Sequence, residues 1–249
     1  MSENSSKQRS SLLKRFTWAL LAVFSVGAAY GLAILLSILV VNVFAVAGLR
    51  IDVLNQNVAS FVGNLLVWTI MMIVLLVPLK KWGILKNFKQ ELGLDRFPSW
   101  SDIGLAILAF FPYAVLSNIF NQTFVVLVPS YDQTQVQQLG FSNFTTQYEV
   151  MLAFLVLVVA APIIEEIIFR GYLFGRLRKH AGTVVAILLT SITFAVLHMQ
   201  LNVGIDVFAL SILLCLLRVV TGSIWAGVLL HMIKNGLAYY VLFVMPMLQ

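Results

Sequence analysis

The chain has 249 residues, of which 61% are hydrophobic and only 10% charged, and its mean hydropathy is +0.97. Average globular domains are about 45–50% apolar and about 25% charged, so this composition excludes an ordinary soluble domain and indicates a polytopic membrane protein. The net charge of +6 does not indicate nucleic-acid binding, because the basic residues form short clusters between apolar runs, as membrane topology requires. The single cysteine, Cys215, excludes an internal disulfide.

The first hundred residues predict two membrane spans and carry no catalytic motif. Residues 1–15 are polar and basic and lead into an apolar run from 16 to 49. That run is too long for a signal-peptide core of about 7–15 residues, so we expect an uncleaved span. A second span is expected over residues 58–79.

A basic stretch over residues 80–101 follows the second span. Its apolar residues are spaced so that part of it could form an amphipathic helix lying in the membrane interface. A solvated loop fits the composition equally well, and both interpretations stay open at this stage. The basic residues of the stretch are Lys80, Lys81, Lys86, Lys89 and Arg96.

Five further apolar segments predict an all-α transmembrane helical bundle of about seven spans. The loop over 129–148 is rich in Gln, Ser, Thr and Asn and lacks Lys and Arg, so we expect it to face away from the cytoplasm. This places the N-terminus in the cytoplasm and the C-terminus outside, and the sixth segment is short enough to be tilted or re-entrant. The five segments cover residues 101–128, 150–179, 184–199, 203–217 and 222–245.

The fourth apolar segment contains two adjacent carboxylates, Glu165 and Glu166, and the arginine Arg170. A charged residue at bilayer depth costs about 2.5–3.5 kcal/mol on insertion scales, and such residues are usually functional. Arg170 lies four residues after Glu166 and is expected to pair with it, leaving Glu165 as the more available base. A purely structural ion pair and a proton relay of a transporter are the alternatives.

Polar residues of three segments are expected at one depth. Glu165 precedes the turn at 181–182 by about as many residues as His198 follows it, so an antiparallel hairpin sets them level, roughly 24 Å from the turn. His231 and Asn235 are separated by one helical turn and lie at mid-membrane depth in the last segment. A layer of carboxylate, imidazole and amide groups is therefore predicted inside the bilayer.

Such a layer is suited to hydrolysis by one of two routes. A carboxylate beside a histidine, shielded from bulk water, can take a proton from a water molecule, while the second histidine and the amide stabilise an oxyanion. Alternatively, Glu165, His198 and His231 match the ligand set of a catalytic zinc that keeps one position open for water. The cofactor is therefore either zinc or none.

The three motifs Glu165-Glu166-x-x-x-Arg170, Phe194-x-x-x-His198 and His231-x-x-x-Asn235 together resemble the CPBP family of intramembrane proteases. That family includes the type II CAAX prenyl endopeptidases and the Abi-type proteins linked to bacteriocin immunity. The resemblance implies a helical-bundle endopeptidase that is either a metalloprotease or a metal-independent glutamate protease.

By this resemblance Glu165 activates water with His198 as its partner, and His231 and Asn235 complete the site. Glu166 would support these groups together with Arg170 and Phe194.

The resemblance covers residues 101–249, whereas residues 1–100 show no motif of the family. We therefore expect a bacterial plasma-membrane enzyme that cleaves a hydrophobic, membrane-associated or prenylated peptide and binds no nucleic acid. A non-catalytic immunity or scaffold protein is the main alternative, and a proton-coupled transporter is the third. Composition does not separate these, because all three would share the same spans.

Overall fold

The described part of the chain contains eight helices, a short 3-10 helix over Met245–Leu248 and no strand. The computed structural model describes residues 2–48, 55–135, 137, 140–141 and 143–248. The all-α bundle expected from composition is confirmed. The helices are α1 Ser2–Val46, α2 Gln56–Lys81, α3 Phe88–Leu92, α4 Trp100–Leu127, α5 Gln147–Ala181, α6 Thr183–Val196, α7 Leu201–Thr221 and α8 Trp225–Val244.

Six helices of the described chain are long and apolar enough to cross a membrane, namely α1, α2, α4, α5, α7 and α8. The remaining apolar helix, α6, has 14 residues, whereas about 20 are needed to cross the hydrocarbon core. The sequence predicted that the segment over 203–217 is the short one, whereas in the structure the short helix is α6. Helix α7 has 21 residues because it continues through Arg218, whose guanidinium donates to the backbone carbonyls of Arg170 and Glu91.

Helix α5 lies at the centre of the bundle. Within the most apolar window of each span, 56% of α5 is buried, compared with 17% of α1 and 11% of α4. The outer faces of α1 and α4 expose large apolar residues, such as Phe24 and Leu108, which suits contact with lipid tails. Glu165, Glu166 and Arg170 of α5 are therefore enclosed by neighbouring helices.

The basic stretch between α2 and α4 packs against the bundle. Its only helix, α3, has five residues, and Leu85 and Leu92 of the stretch are buried. The backbone of Leu92 touches α5 at Gly171, where an added β-carbon would lie 3.0 Å from the Leu92 carbonyl oxygen. Arg176 of α5 forms an ion pair with Glu91 at 3.6 Å. The stretch therefore covers the end of α5 that follows the glutamates.

Candidate active site

The helix that carries the glutamates contains two wide π-helical segments, Leu155–Ala160 and Ile167–Leu173, on either side of the Glu pair. Pro162 accounts for the first segment, because its ring displaces the preceding turn and it has no N–H to donate. In the π-type pattern the backbone N–H of Ala161 donates to the carbonyl of Val156, five residues earlier. The same spacing assigns the Leu157 carbonyl to Pro162, which has no N–H, so that carbonyl needs another donor. Asn235 of α8 supplies that donor, with its side-chain nitrogen 3.0 Å from the Leu157 oxygen.

Glu166 is fully buried at the contact between α5 and α8. Its Oε1 accepts from Arg170 Nη1 at 2.8 Å and from His231 Nδ1 at 3.2 Å, so the expected pair with Arg170 is present. Its Oε2 packs against Gly227, one turn before His231, where an added β-carbon would lie 3.0 Å away. Glu166 therefore orients Arg170 and His231 and has no room to act on a substrate.

Glu165 faces a cavity of about 220 Å³ within the bundle. Its Oε2 is buried and lacks a hydrogen bond from any described residue, and it lies 3.7 Å from His231 Nε2, beyond hydrogen-bond distance. His198 and Asn235 line the same cavity. The structure thus brings together four residues from three separate motifs.

His198 follows the last turn of the short helix α6. Its Nδ1 lies 2.8 Å from the backbone carbonyl oxygen of Phe194, and since a carbonyl only accepts, Nδ1 carries the proton. The other ring nitrogen, Nε2, is then left as a hydrogen-bond acceptor. The apolar run over 184–199 predicted that His198 lies inside a complete span, whereas α6 ends at Val196, so the imidazole lies at a turn.

Phe194 is fully buried and connects the site residues. Its ring centroid lies 4.8 Å from that of His198 and 5.8 Å from that of His231, and both pairs are edge-on. The guanidinium carbon of Arg170 lies 4.5 Å from the same centroid, and Phe169 packs at 4.7 Å. Phe194 therefore fixes both imidazoles and the arginine by ring packing.

The N-terminal helices, which carry no motif, also line the cavity. Tyr30 of α1 and Asn64 and Trp68 of α2 form part of its wall. These three residues were not predicted from the sequence, because a single aromatic or amide side chain in an apolar helix gives no sign of function. A site assembled only from residues 101–249 would therefore be incomplete.

The proposed zinc ligands do not form a ready metal site. Within the described ranges no group of three His, Cys, Asp or Glu side chains is arranged to hold a metal ion. Of the expected ligands Glu165, His198 and His231, the last donates from Nδ1 to Glu166 and keeps Nε2, 3.7 Å from Glu165 Oε2, as the nitrogen that could meet a metal. We therefore derive no step through a metal.

A second polar cluster in the spans was missed by the sequence analysis. Asp206 of α7 lies 3.2 Å from Lys234 of α8 and accepts hydrogen bonds from Tyr113 and Ser117 of α4. The rule that singled out Glu165, namely a charge inside an apolar run, applies equally to Asp206 and Lys234 and would have identified them. Lys234 also lines the cavity that Glu165 faces.

Comparison with known proteins gave a match to one protein family and two similar bacterial proteins. The family profile described as "Type II CAAX prenyl endopeptidase Rce1-like" matches residues 147–237, which contain all three motifs. UPF0177 protein YbdI of Lactococcus lactis subsp. lactis (strain IL1403) is 30% identical over 134 residues, 53% of this chain and 68% of that protein. UPF0177 protein YxdF of the same strain is 28% identical over 130 residues, covering 52% and 67%. No solved structure gave a significant match.

Proposed function

Because the chain belongs to the CPBP family, with an Rce1-like core over residues 147–237, we propose that it is an intramembrane endopeptidase that uses a glutamate-activated water. The observation that carries the proposal is Glu165, a buried carboxylate with an unbound oxygen that faces a cavity lined by two histidines and an amide. Glu166 Oε2 also lacks a hydrogen bond, but it packs against Gly227 and does not line the cavity, so Glu165 is the carboxylate that can meet a water molecule or a substrate there.

In the proposed reaction a water molecule binds between Glu165 and Nε2 of His198. Glu165 removes a proton as the water oxygen attacks the carbonyl carbon of the scissile peptide bond. The oxyanion that forms accepts from the second N–H of Asn235, and His231, held through its Nδ1 by Glu166, borders the reacting groups with its Nε2 3.7 Å from Glu165 Oε2. Glu165 then delivers the proton to the leaving nitrogen as the C–N bond breaks, which balances the hydrolysis.

The substrate and location follow from where this site lies. A cavity among six apolar spans is reached most directly by peptides that are themselves in the bilayer, so we propose a membrane-associated, hydrophobic or prenylated peptide. The basic residues of the α2–α4 stretch and the end of α5 lie at one end of the bundle, where Arg176 meets Glu91. We propose that this end faces the cytoplasm of a bacterial plasma membrane, with the N-terminus on the same side.

Purified protein in proteoliposomes tests the proposal with quenched peptides that carry a farnesyl or palmitoyl chain. Glu165→Gln and His198→Ala should each lower turnover at least about a hundredfold while the protein still inserts and folds. Glu91→Gln, outside the cavity, is the matched control and should retain turnover. Equal turnover by Glu165→Gln would contradict the proposal, and a protective phenotype that survives Glu165→Gln would favour the non-catalytic immunity protein.

Metal dependence is measured on the same preparation. Turnover should persist after dialysis against a chelator, because the proposed steps use only protein groups and water. Turnover that disappears on chelation and returns with Zn²⁺ would replace the glutamate-only mechanism by a metal-assisted one.

A further inference from the structure

A second, larger cavity of about 800 Å³ lies between α4, α7 and α8, beside the one that Glu165 faces. Its wall is mainly apolar and also carries side-chain amides, among them Asn118, Asn121 and Gln133. Asn121 already bonds to Ser117 and Tyr131, and Gln133 lies in the loop after α4. Asn118, in contrast, is an exposed amide on the span itself, where a polar ligand would be favoured over lipid tails. Side-chain amides both donate and accept, as an extended peptide backbone does.

The ion pair between Asp206 and Lys234 stands where the two cavities meet. Lys234 lines both of them, and so does Ala238 one turn later. Lys234 also precedes Asn235 directly and follows His231 by three residues, so all three project from neighbouring positions of α8. A peptide whose scissile bond lies at Glu165 can therefore continue past Lys234 into the second cavity.

The two members of this ion pair are held unequally. Asp206 Oδ1 accepts from Tyr113 at 2.8 Å and from Ser117 at 2.5 Å, so Asp206 keeps two hydrogen bonds if the lysine leaves. Lys234 has three N–H donors, and among the described residues its one partner is Asp206 Oδ2 at 3.2 Å. The long lysine stem can move the ammonium while Asp206 stays in place.

We propose that the second cavity is a substrate subsite in which Lys234 binds a carboxylate of the peptide near the scissile bond. Asp206 pairs with the lysine when no substrate is bound. The inference rests on the proposed peptidase function and deepens it. The substrate class is a membrane peptide with polar residues and one carboxylate beside the cleaved bond. That carboxylate is either an acidic side chain or the end of the chain.

Binding to the Glu165→Gln protein in nanodiscs tests this without turnover. Three fluorescent peptides share one acyl chain and differ only in charge: an internal Asp with an amidated end, an Asn with a free carboxylate, and an Asn with an amidated end. At least one of the two acidic peptides should bind about tenfold or more tightly than the neutral one, and the tighter one identifies the source of the carboxylate.

Variants of the ion pair should shift this preference in opposite directions. Lys234→Gln should abolish it, whereas Asp206→Asn, which keeps the acceptor for Tyr113 and Ser117, should strengthen it because it removes the competing carboxylate. A purely structural ion pair predicts instead that neither change alters the preference. Lys234→Arg keeps the charge and should retain the preference, which gives a second measure if Lys234→Gln does not fold.

Equal affinities for all three peptides, or a preference that survives Lys234→Gln, would overturn the subsite. The outcome is independent of the peptidase proposal, because binding is measured in a protein that lacks the Glu165 carboxylate. If Glu165→Gln proves as active as the unchanged protein, the catalytic role of Glu165 is wrong. The proposed subsite is then still decided by the binding preference alone.

Discussion

Gly227 and Glu166 touch across the contact between α8 and α5, and a β-carbon at Gly227 would lie 3.0 Å from the Oε2 of Glu166. That oxygen belongs to the carboxylate that holds Arg170 and His231 in place. The carboxylate has no free direction in which to move, because both of its partners are themselves buried. The absence of a side chain at Gly227 is thus a condition for the site's geometry.

Gly227→Ala should lower turnover about tenfold or more with a modest change in stability. Displacing Glu166 shifts His231, whereas the unfavourable packing of about 1–3 kcal/mol is partly offset by about 1 kcal/mol from the better helix propensity of alanine. Turnover and thermal unfolding in detergent measure the two effects. Gly104→Ala is the control, since nothing lies within 4 Å of an added β-carbon there. Equal turnover in both variants would contradict the prediction.

Arg170→Met should destabilise the protein by about 3–5 kcal/mol, because it leaves the charge of Glu166 buried without its main partner. Adding Glu166→Gln should recover most of that stability, since the unpaired charge is then gone, while turnover stays low because His231 loses its orienting carboxylate. Denaturant unfolding in micelles measures both variants. A double variant as unstable as Arg170→Met would show that packing, and not the charge, causes the loss.

Phe194→Leu should lower turnover about tenfold while His198 keeps its backbone hydrogen bond. Leucine retains the carbonyl that fixes Nδ1 but loses the ring contacts to both histidines and to Arg170, each worth about 0.5–1.5 kcal/mol. Phe120→Leu removes a comparable ring contact with Phe208, at 5.7 Å, away from the cavity, and should leave turnover unchanged. Turnover of the two variants, normalised to folded protein, is the measurement, and similar losses in both would contradict the role of Phe194.

Gly171→Ala should loosen the stretch between α2 and α4. An added β-carbon would lie 3.0 Å from the rigid backbone oxygen of Leu92, so the stretch must move away from α5. Trypsin should then cut at Lys86 or Lys89 several-fold faster, which limited proteolysis of proteoliposomes measures. Gly175→Ala, one turn later, would place its β-carbon an ordinary 3.7 Å from the Glu91 oxygen and should leave the rate unchanged.

Sequence reasoning located the residues of the cavity because their chemistry conflicts with their surroundings. Glu165 and Glu166 are charges in an apolar run, and the depth argument placed them level with His198 and His231, which line or border the same cavity. It did not predict that α6 ends before His198. At that end α7 comes close, with an added β-carbon at Gly204 3.2 Å from the Ala195 oxygen, and Met199 turns the chain with a φ of 57°.

Other features could not be predicted because they depend on contacts between distant helices. Tyr30 and Trp68 acquire a place in the cavity wall only when α1 and α2 pack beside α5. Pro162 indicates a disturbed helical turn, but the amino-acid sequence does not reveal which residue donates a hydrogen bond to the Leu157 carbonyl. The partner is Asn235, which lies 78 positions away along the chain.

The bond from Asn235 to the Leu157 carbonyl also limits how the bundle can open. One turn later in α8, the hydroxyl of Tyr239 donates to the Val150 carbonyl at 2.6 Å. Two side-chain hydrogen bonds therefore join α8 to α5. An opening between α5 and α8 would require both hydrogen bonds to break. A cleft of about 280 Å³ between α1 and α2 shares Tyr30, Asn64 and Trp68 with the cavity wall, so under the proposed function we expect the peptide to enter from that side.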